Sequence, residues 1–185
     1  IVALNVKPLQ SGEFETDFWL RREAAMVTGL QALRADEVAL VIDSTDVLFF
    51  AGPDVLLERF LRVGHDIVFG AEMLCDTLFC RQNSSLSDFM RSRAAVWSNG
   101  TRMSFLNAGN FIGRVGPMLK LVDDVHTRMS RTHEDDQAAL VALWAGAPDR
   151  LTLDYAGGIF AVVPPTFSFF RTAWRIREST QALEN

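Results

Sequence analysis

Residues 38–46 read Val-Ala-Leu-Val-Ile-Asp-Ser-Thr-Asp, and this stretch decides the fold. Five consecutive apolar residues with β-branched members are typical of a strand buried on both faces, as in a parallel sheet under helices. Asp43 and Asp46 follow that strand directly. Since ligands of open α/β sheets bind beyond the carboxyl ends of the strands, these two carboxylates are candidate site residues.

The segments on either side alternate between helical and extended patterns. Apolar positions at helical spacing predict helices at 18–33, at 53–63 and from 117 onward, and acidic residues in a first turn indicate a further helix at 134–145. The stretch 72–104 is irregular and polar, with a short helix expected near 85–96. Apolar runs predict further strands at 1–6, 67–71, 105–115, 151–153 and 159–163. This alternation predicts an α/β fold with a mainly parallel central sheet flanked by helices. At 185 residues the chain is expected to form a single domain over 1–185.

Composition excludes several classes of protein. The chain is 49% hydrophobic and 22% charged, unlike a disordered, collagen-like or coiled-coil sequence. It has 23 acidic and 18 basic residues, whereas nucleic-acid binding depends on an excess of Lys and Arg at phosphates. No apolar run approaches the roughly 20 residues that a membrane helix needs. We therefore expect no nucleic-acid partner and no membrane span.

The cysteines and two glycosylation sequons bear on the compartment. Cys75 and Cys80 are the only cysteines, and they are either two thiols or a pair joined where the backbone turns back. They are not a zinc site, because no second Cys or His pair stands at ligand spacing. Sequons begin at Asn83 and Asn99, within the polar stretch 81–102. Two sequons in one surface loop favour the secretory pathway.

Asp43 and Asp46 are close enough in sequence to share one hard cation. Mg²⁺ and Mn²⁺ prefer oxygen ligands and bind through one or two carboxylates together with substrate phosphates. Such an ion would let an acidic protein receive a pyrophosphate. The alternative is that Asp43 caps a turn and Asp46 is a solvated loop residue.

Two further segments are candidates with equally plain structural alternatives. Residues 134–137 read Glu-Asp-Asp-Gln, and acids in the first turn of a helix also simply suit the helix dipole. Residues 105–113 read Phe-Leu-Asn-Ala-Gly-Asn-Phe-Ile-Gly. Glycines within a strand mark the close approach of a ligand or of another backbone, or a bulge in a core strand.

In this order, the segments resemble the glycosyltransferase domain of procollagen lysyl hydroxylases and the related collagen galactosyl- and glucosyltransferases. The resemblance runs from about Val6 to Val163. Its specific parts are the Asp-x-x-Asp after a strand and the segment Phe-Leu-Asn-(small)-Gly-x-Phe-Ile-Gly. The resemblance implies a GT-A fold that binds a nucleotide sugar.

The resemblance also implies roles at the donor site. Asp43 and Asp46 would hold Mn²⁺, or Mg²⁺, on the two phosphates of a UDP-sugar. Thr45 would lie near the nucleotide, where the family commonly has Tyr. The donor sugar pocket would be lined by Asn107, Ala108 and Gly109.

On the acceptor side, the resemblance places Asp135 and Asp136 near the sugar and the acceptor. Either carboxylate could orient the acceptor hydroxyl or act as its base, given hydrogen-bond reach. Glu72 and Cys75 match the segment beside the active site, which continues with Asp76-Thr77 where the family usually has Trp-Pro. By this resemblance we expect residues 1–185 to lack the family's first strand-helix unit and its C-terminal His segment, since no His follows Val163 as a third metal ligand.

The resulting hypothesis is a metal-dependent hexosyltransferase that moves galactose or glucose from a UDP-sugar to a hydroxyl acceptor on a protein or glycan. Hydroxylysine of a collagen-like protein is the acceptor that the resemblance implies, with the endoplasmic reticulum or Golgi lumen as location in a eukaryote. One alternative is a catalytically silent GT-A scaffold or accessory domain, favoured by the departures from the family pattern. Another is an unrelated Mg²⁺-dependent phosphate-transfer domain.

Overall fold

The computed structural model describes residues 15–43, 47, 49–75, 84–97 and 103–161. In this part of the chain, five helices surround a four-stranded sheet. The helices are α1 (Glu15–Gln31), α2 (Pro53–Val63), α3 (Ser84–Trp97), α4 (Val115–Thr132) and α5 (Asp136–Gly146). The strands are β1 (Val38–Ile42), β2 (Ile67–Glu72), β3 (Phe105–Arg114) and β4 (Thr152–Leu153), in the spatial order β1-β3-β2-β4.

The prediction of a mainly parallel sheet is wrong, although the α/β class is right. Strand β3 pairs antiparallel with both β1 and β2, and only β2 and β4 pair in parallel. Strands β1, β2 and β4 thus share one direction, and β3 runs the opposite way between β1 and β2. Helices that cover both faces make a strand apolar on both sides whatever its direction, so the apolar runs could not show this reversal.

Local sequence explains where the helices begin and end. Pro53 is the first residue of α2, where its missing N–H and fixed φ are tolerated. Gly64 ends α2 at φ 72°, a left-handed conformation that suits glycine. Asp135 caps α5, because its Oδ1 accepts a hydrogen bond from the Ala138 N–H at 2.6 Å.

The core lies on both faces of the sheet. The larger cluster packs α1, α3, α4 and α5 against one face, with Trp144 fully buried and the rings of Phe69 and Phe111 stacked 4.5 Å apart. A smaller cluster of Phe60, Val68 and Ile112 packs α2 against the other face. None of the helices in the described part of the chain is both long and apolar enough to cross a membrane.

The predicted strands have different outcomes. Those at 38–42, 67–71, 105–115 and 151–153 are confirmed as β1 to β4. The predicted strand at 159–163 is wrong for residues 159–161, which have no regular secondary structure. The predicted strand at 1–6 lies outside the described residues.

A bulge in β3 shapes the edge of the sheet where β1 and β2 end. Phe69 pairs with Phe111, whereas the next residue, Gly70, pairs with Asn107. Residues 108–110 therefore have no partner on β2, and they turn toward β1 instead. There Ile42 pairs with Asn110. The segment that carries the predicted donor-pocket residues thus lies at the carboxyl ends of β1 and β2.

Candidate functional site

The candidate site lies where the carboxyl ends of β1 and β2 meet the first half of β3. Asp43 follows β1 and donates its backbone N–H to the Gly109 carbonyl at 2.9 Å. Glu72 is the last residue of β2, and it pairs with Phe105 at the start of β3. The amino end of α5 reaches the same place, because Gln137 contacts both β2 and β3.

A hydrogen-bond network fixes Glu72 and the donor segment relative to each other. Glu72 Oε2 accepts from Asn107 Nδ2 at 3.2 Å, and Glu72 Oε1 accepts from Gln137 Nε2 at 3.1 Å. Gln137 Oε1 in turn accepts from the Ala108 N–H at 3.2 Å. The network joins β2, β3 and α5, so it holds three of the predicted site residues in one arrangement.

Position 109 needs a glycine because the Asp43 side chain approaches it closely. A Cβ on Gly109 would overlap Asp43 Oδ2 and lie 3.1 Å from Asp43 Cγ and 3.2 Å from Asn107 Oδ1. The glycine therefore marks a close approach, and the approaching group within the protein is the Asp43 carboxylate. The Asp43 side chain remains 48% exposed, so the carboxylate lies against Gly109 and is still open to solvent.

The guanidinium of Arg22, on α1, lies close to three acidic side chains. Arg22 Nη2 lies 2.6 Å from Asp136 Oδ2, Nε lies 3.5 Å from Glu23 Oε1, and Nη1 lies 4.0 Å from Asp43 Oδ1. The Asp136 contact is an ion pair without hydrogen-bond alignment, since within the described residues that oxygen has no hydrogen-bond partner. The Arg22 guanidinium also lies 5.0 Å from the centre of the Trp19 ring, at cation–π distance.

Burial shifts the titration of two of these carboxyl groups. Burial raises the pKa of Glu23 to about 8, against a smaller lowering by Arg22 and a further raising by Asp136. Burial also raises the pKa of Asp136; Arg22 opposes the shift, and Asp135 and Asp43 add to it. Desolvation disfavours a charged carboxylate, so Glu23 is mostly protonated at neutral pH.

Asp135 and Asp136 both have structural roles at the start of α5. Asp135 is the helix cap, and Asp136 Oδ1 accepts from the Gln137 N–H at 2.9 Å. The arrangement agrees with the structural alternative, in which acids simply suit the first turn of a helix. It also brings the Asp136 carboxylate to the site through Arg22. Their catalytic role stays a prediction.

The predicted metal ligands are only partly within the described residues. Asp46 lies outside them, as does Thr45. Among the described residues, no group of three or more His, Cys, Asp or Glu side chains could hold a metal ion. The Asp43 carboxylate does fit a hard divalent cation, since it is an oxygen ligand, solvent-accessible, and held at a strand end where substrate phosphates could complete the coordination.

Cys75 is disulfide-bonded. The structure therefore decides between the two alternatives for this residue in favour of a disulfide. The other cysteine of the chain, Cys80, lies outside the described residues. The disulfide constrains the backbone at Cys75, three residues after Glu72.

Sequence reasoning missed two residues of this site, Arg22 and Glu23, and it gave Gln137 no role of its own within the candidate segment 134–137. Glu23 left a signal, because it stands three residues before Met26 and so lies on the apolar stripe of α1. Its side chain is 2% exposed, and charged residues are almost never fully buried unless they are paired. Arg22 left no comparable signal.

Comparison with known proteins identifies the family of the chain. The family model described as PLOD GT domain matches residues 24–163. The human protein "Multifunctional procollagen lysine hydroxylase and glycosyltransferase LH3" is 28% identical over 168 residues, which are 86% of this chain and 20% of that protein. Human "Procollagen-lysine,2-oxoglutarate 5-dioxygenase 1" is 31% identical over 131 residues, 69% of this chain and 16% of that protein.

The LH3 protein of Rattus norvegicus is 26% identical over 148 residues, which are 77% of this chain and 17% of that protein. The chain thus spans at most 20% of the length of these curated relatives. The family model, in contrast, covers most of the chain and includes every described residue of the candidate site except Arg22 and Glu23. The resemblance inferred from the sequence is confirmed, and the chain belongs to the family of the PLOD GT domain, a glycosyltransferase domain.

Proposed function

We propose that this chain is a hexosyltransferase that depends on a divalent metal and uses a UDP-sugar as donor. The observation that carries the proposal is the contact between Gly109 and Asp43. It sets a half-exposed carboxylate directly against the segment that the family resemblance assigns to the donor sugar. A site that binds both a metal-bound diphosphate and the attached sugar needs these two parts side by side.

Asp43 would hold the metal, together with Asp46, whose role rests on the sequence. A bound Mn²⁺ or Mg²⁺ supplies Lewis-acid stabilisation of the charge on the diphosphate leaving group. The protein's own part is to hold the Asp43 carboxylate in place. The hydrogen bond from the Asp43 N–H to Gly109, and the absence of a side chain at Gly109, accomplish this.

The donor sugar would be oriented by Glu72 and the segment Asn107–Gly109. Two amide groups hold the Glu72 carboxylate in a fixed orientation, which prepares it to accept hydrogen bonds from sugar hydroxyls. Galactose and glucose are the donor sugars that we propose. The two sugars differ in the direction of one hydroxyl group. A carboxylate with a fixed orientation is suited to distinguishing them.

Asp135 or Asp136 would orient the acceptor hydroxyl and take up its proton. Burial raises the pKa of Asp136, which favours uptake of a proton by this carboxylate. Arg22 would offset the charge of this carboxylate and keep it turned toward Asp43. These roles require hydrogen-bond reach to the acceptor, which a complex with an acceptor would test.

We propose a hydroxyl group on a protein or glycan as the acceptor, and hydroxylysine of a collagen-like protein in particular. The names of the relatives, which include procollagen lysine hydroxylases, support this choice. We further propose the lumen of the endoplasmic reticulum or Golgi as location. The disulfide at Cys75 supports it, since disulfides persist in oxidising compartments.

Calorimetric titration of UDP with and without Mn²⁺ tests the proposal. We expect binding that requires the metal and is lost in Asp43→Ala and in Asp46→Ala. Asp149→Ala is the matched control, because this exposed aspartate lies beyond the far end of α5. UDP binding that persists without metal and in Asp43→Ala would contradict the proposed donor site.

A second candidate function is a catalytically silent scaffold domain. Arg22 favours it, because a resident cation 4.0 Å from Asp43 could satisfy the acidic cluster without a metal. The changes at Thr45 and Asp76 relative to the family point the same way. A folded chain that binds no UDP, with or without Mn²⁺, is the result expected for this alternative.

A further inference from the structure

We propose that Asp154 is a positioning residue for the donor segment, acting through the loop at 157–160. The proposal rests on the proposed function for its effect on donor binding. The segment Leu151–Phe160 carried part of the family resemblance, yet the site described above uses none of it.

The Asp154 carboxylate is 6% exposed and accepts three backbone hydrogen bonds. Its Oδ1 accepts from the Gly158 N–H at 3.0 Å, and its Oδ2 accepts from those of Ile159 at 2.5 Å and Phe160 at 2.8 Å. A buried carboxylate is unfavourable unless it is hydrogen-bonded, and bonds to an ionised acceptor are about twice as strong as neutral ones. The carboxylate and this loop therefore stabilise each other.

The loop is tied to the rest of the fold at two further points. The Asp154 N–H donates to the Phe69 carbonyl at 2.8 Å, which continues the pairing of β4 with β2. Arg59 of α2 donates from Nη1 to the Gly158 carbonyl at 2.5 Å. Gly157 turns the chain with φ 64°, a conformation that glycine adopts without strain. The loop thus has a fixed place between β2 and α2.

In this position the loop lies beside Gly70 of β2, which in turn lies beside Asn110 in the bulge of β3. A Cβ on Gly70 would be 3.5 Å from Phe160 Cβ, 3.5 Å from the Asn110 carbonyl and 3.7 Å from Asn110 Cβ. Gly70 is the residue at which the register between β2 and β3 shifts. Ile159 and Phe160 also pack on the apolar cluster of α2.

The bulged segment is therefore held from two directions. Glu72 and Gln137 bind it through Asn107 and Ala108, and the loop organised by Asp154 supports Gly70, the β2 residue that lies against Asn110. Loss of the Asp154 carboxylate should let the bulge relax and loosen the donor segment. Asp154 itself is not proposed to touch the substrate.

Asp154→Asn tests this role with little change in size. One of the two acceptor oxygens becomes an NH₂ donor that faces backbone N–H groups. We expect faster amide hydrogen exchange in peptides covering 105–114 without any ligand. We also expect a rise of about tenfold in the Kd for UDP with Mn²⁺, measured well below the unfolding temperature of each variant. Asp149→Asn is the matched control and should leave both quantities unchanged.

A lower unfolding temperature with wild-type exchange at 105–114 and wild-type UDP affinity would overturn the proposal, since that is a purely structural role. If Asp154→Asn does not fold, Arg59→Ala tests the proposal in its place. Arg59 is exposed, and its substitution removes only the hydrogen bond to the Gly158 carbonyl. Unchanged exchange at 105–114 in that variant would also overturn the proposal. If the wild-type chain binds no UDP, the proposed function fails, and the exchange measurement alone decides on Asp154.

Discussion

At the scale of single residues, Arg22 joins acidic side chains from three parts of the chain. It lies on α1, whereas Asp43 follows β1 and Asp136 begins α5. The Arg22 and Asp136 side chains are 16% and 7% exposed, so their ion pair is largely removed from water. Removing one partner of a buried pair leaves the other charge uncompensated, which is strongly destabilising.

We therefore expect Arg22→Gln to lower the free energy of unfolding by about 3 kcal/mol. Urea denaturation measures this change. Arg34→Gln is the matched control, because Arg34 forms an exposed ion pair with Asp36, worth less than about 1 kcal/mol. Equal effects of the two substitutions would show that Arg22 does not neutralise a buried cluster.

Glu23 should make the stability of the fold depend on pH. Its pKa is about 8 in the folded state, above the 4.5 that is usual for the group, so the folded state binds the proton more tightly than the unfolded state does. Stability from this group is complete below about pH 4.5 and falls as the pH rises toward 8.

Glu23→Gln removes this titration and should be more stable, relative to wild type, at pH 8 than at pH 5. Urea unfolding of both proteins at the two pH values gives the comparison. A difference in stability that is the same at both values would contradict the raised pKa of Glu23.

Gly109→Ala should separate donor binding from folding. The new Cβ overlaps the Asp43 carboxylate, so that carboxylate must move away from its place beside the donor segment. We expect loss of metal-dependent UDP binding and a decrease in stability of about 1–3 kcal/mol, as for other overpacked positions.

Calorimetry and urea denaturation measure the two effects of Gly109→Ala. Gly146→Ala is the control, because a Cβ there meets nothing within 4 Å. It lies at the end of α5, where alanine favours the helix by up to about 1 kcal/mol. Wild-type UDP affinity in Gly109→Ala would mean that the position of Asp43 does not matter for the donor.

At the scale of elements, the local patterns predicted most of the helices and strands correctly. They did not predict the relative directions of the strands. A short helix was expected near 85–96 and is α3, and Pro53 with Gly64 marked both ends of α2. The reversed direction of β3 shows in its pairing, since Phe105 at its start pairs with Glu72 at the end of β2. An apolar pattern within one strand carries no information about strand direction, so the parallel sheet was predicted wrongly.

Residues 159–161 show a second limit at this scale. Their apolar side chains resemble those of a strand, but the Asp154 carboxylate takes the N–H groups of Ile159 and Phe160 that would pair with a neighbouring strand. Side-chain hydrogen bonds to the backbone compete with secondary structure in this way. The aspartate that prevents the strand is five residues earlier in the sequence.

The start of α5 allows structural and catalytic roles to be separated. Asp135→Asn keeps a good helix cap and should change the free energy of unfolding little, whereas Asp135→Ala should lower it by about 1 kcal/mol. If the carboxylate acts on the acceptor, both variants should lose at least about tenfold in sugar transfer from the UDP-sugar. If Asp135→Asn retained full transfer activity, the role of Asp135 would be limited to capping α5. Urea denaturation and UDP release in the presence of acceptor give the two readouts.

At the scale of the whole molecule, the order of the motifs predicted the family, and no single motif did so. Asp43, Glu72 and Asn107 come from distant parts of the sequence, and the resemblance nevertheless placed all three at one site, which the fold brings together. The role of Arg22 depends on the contact between α1 and α5, and that of Asp154 on the contacts of the loop 157–160 with Arg59 of α2 and with Gly70 of β2. The spacing of residues along the sequence does not predict such contacts.

The reversed strand β3 has a consequence for how this domain can diversify. Because Glu72 pairs with Phe105, the chain leaves β2 and enters β3 at the same border of the sheet. Everything inserted between these two residues starts and finishes beside the candidate site. Lengthening or replacing that insert leaves the pairing of the strands intact. Evolution can therefore change what borders the candidate site while β2 and β3 stay in register.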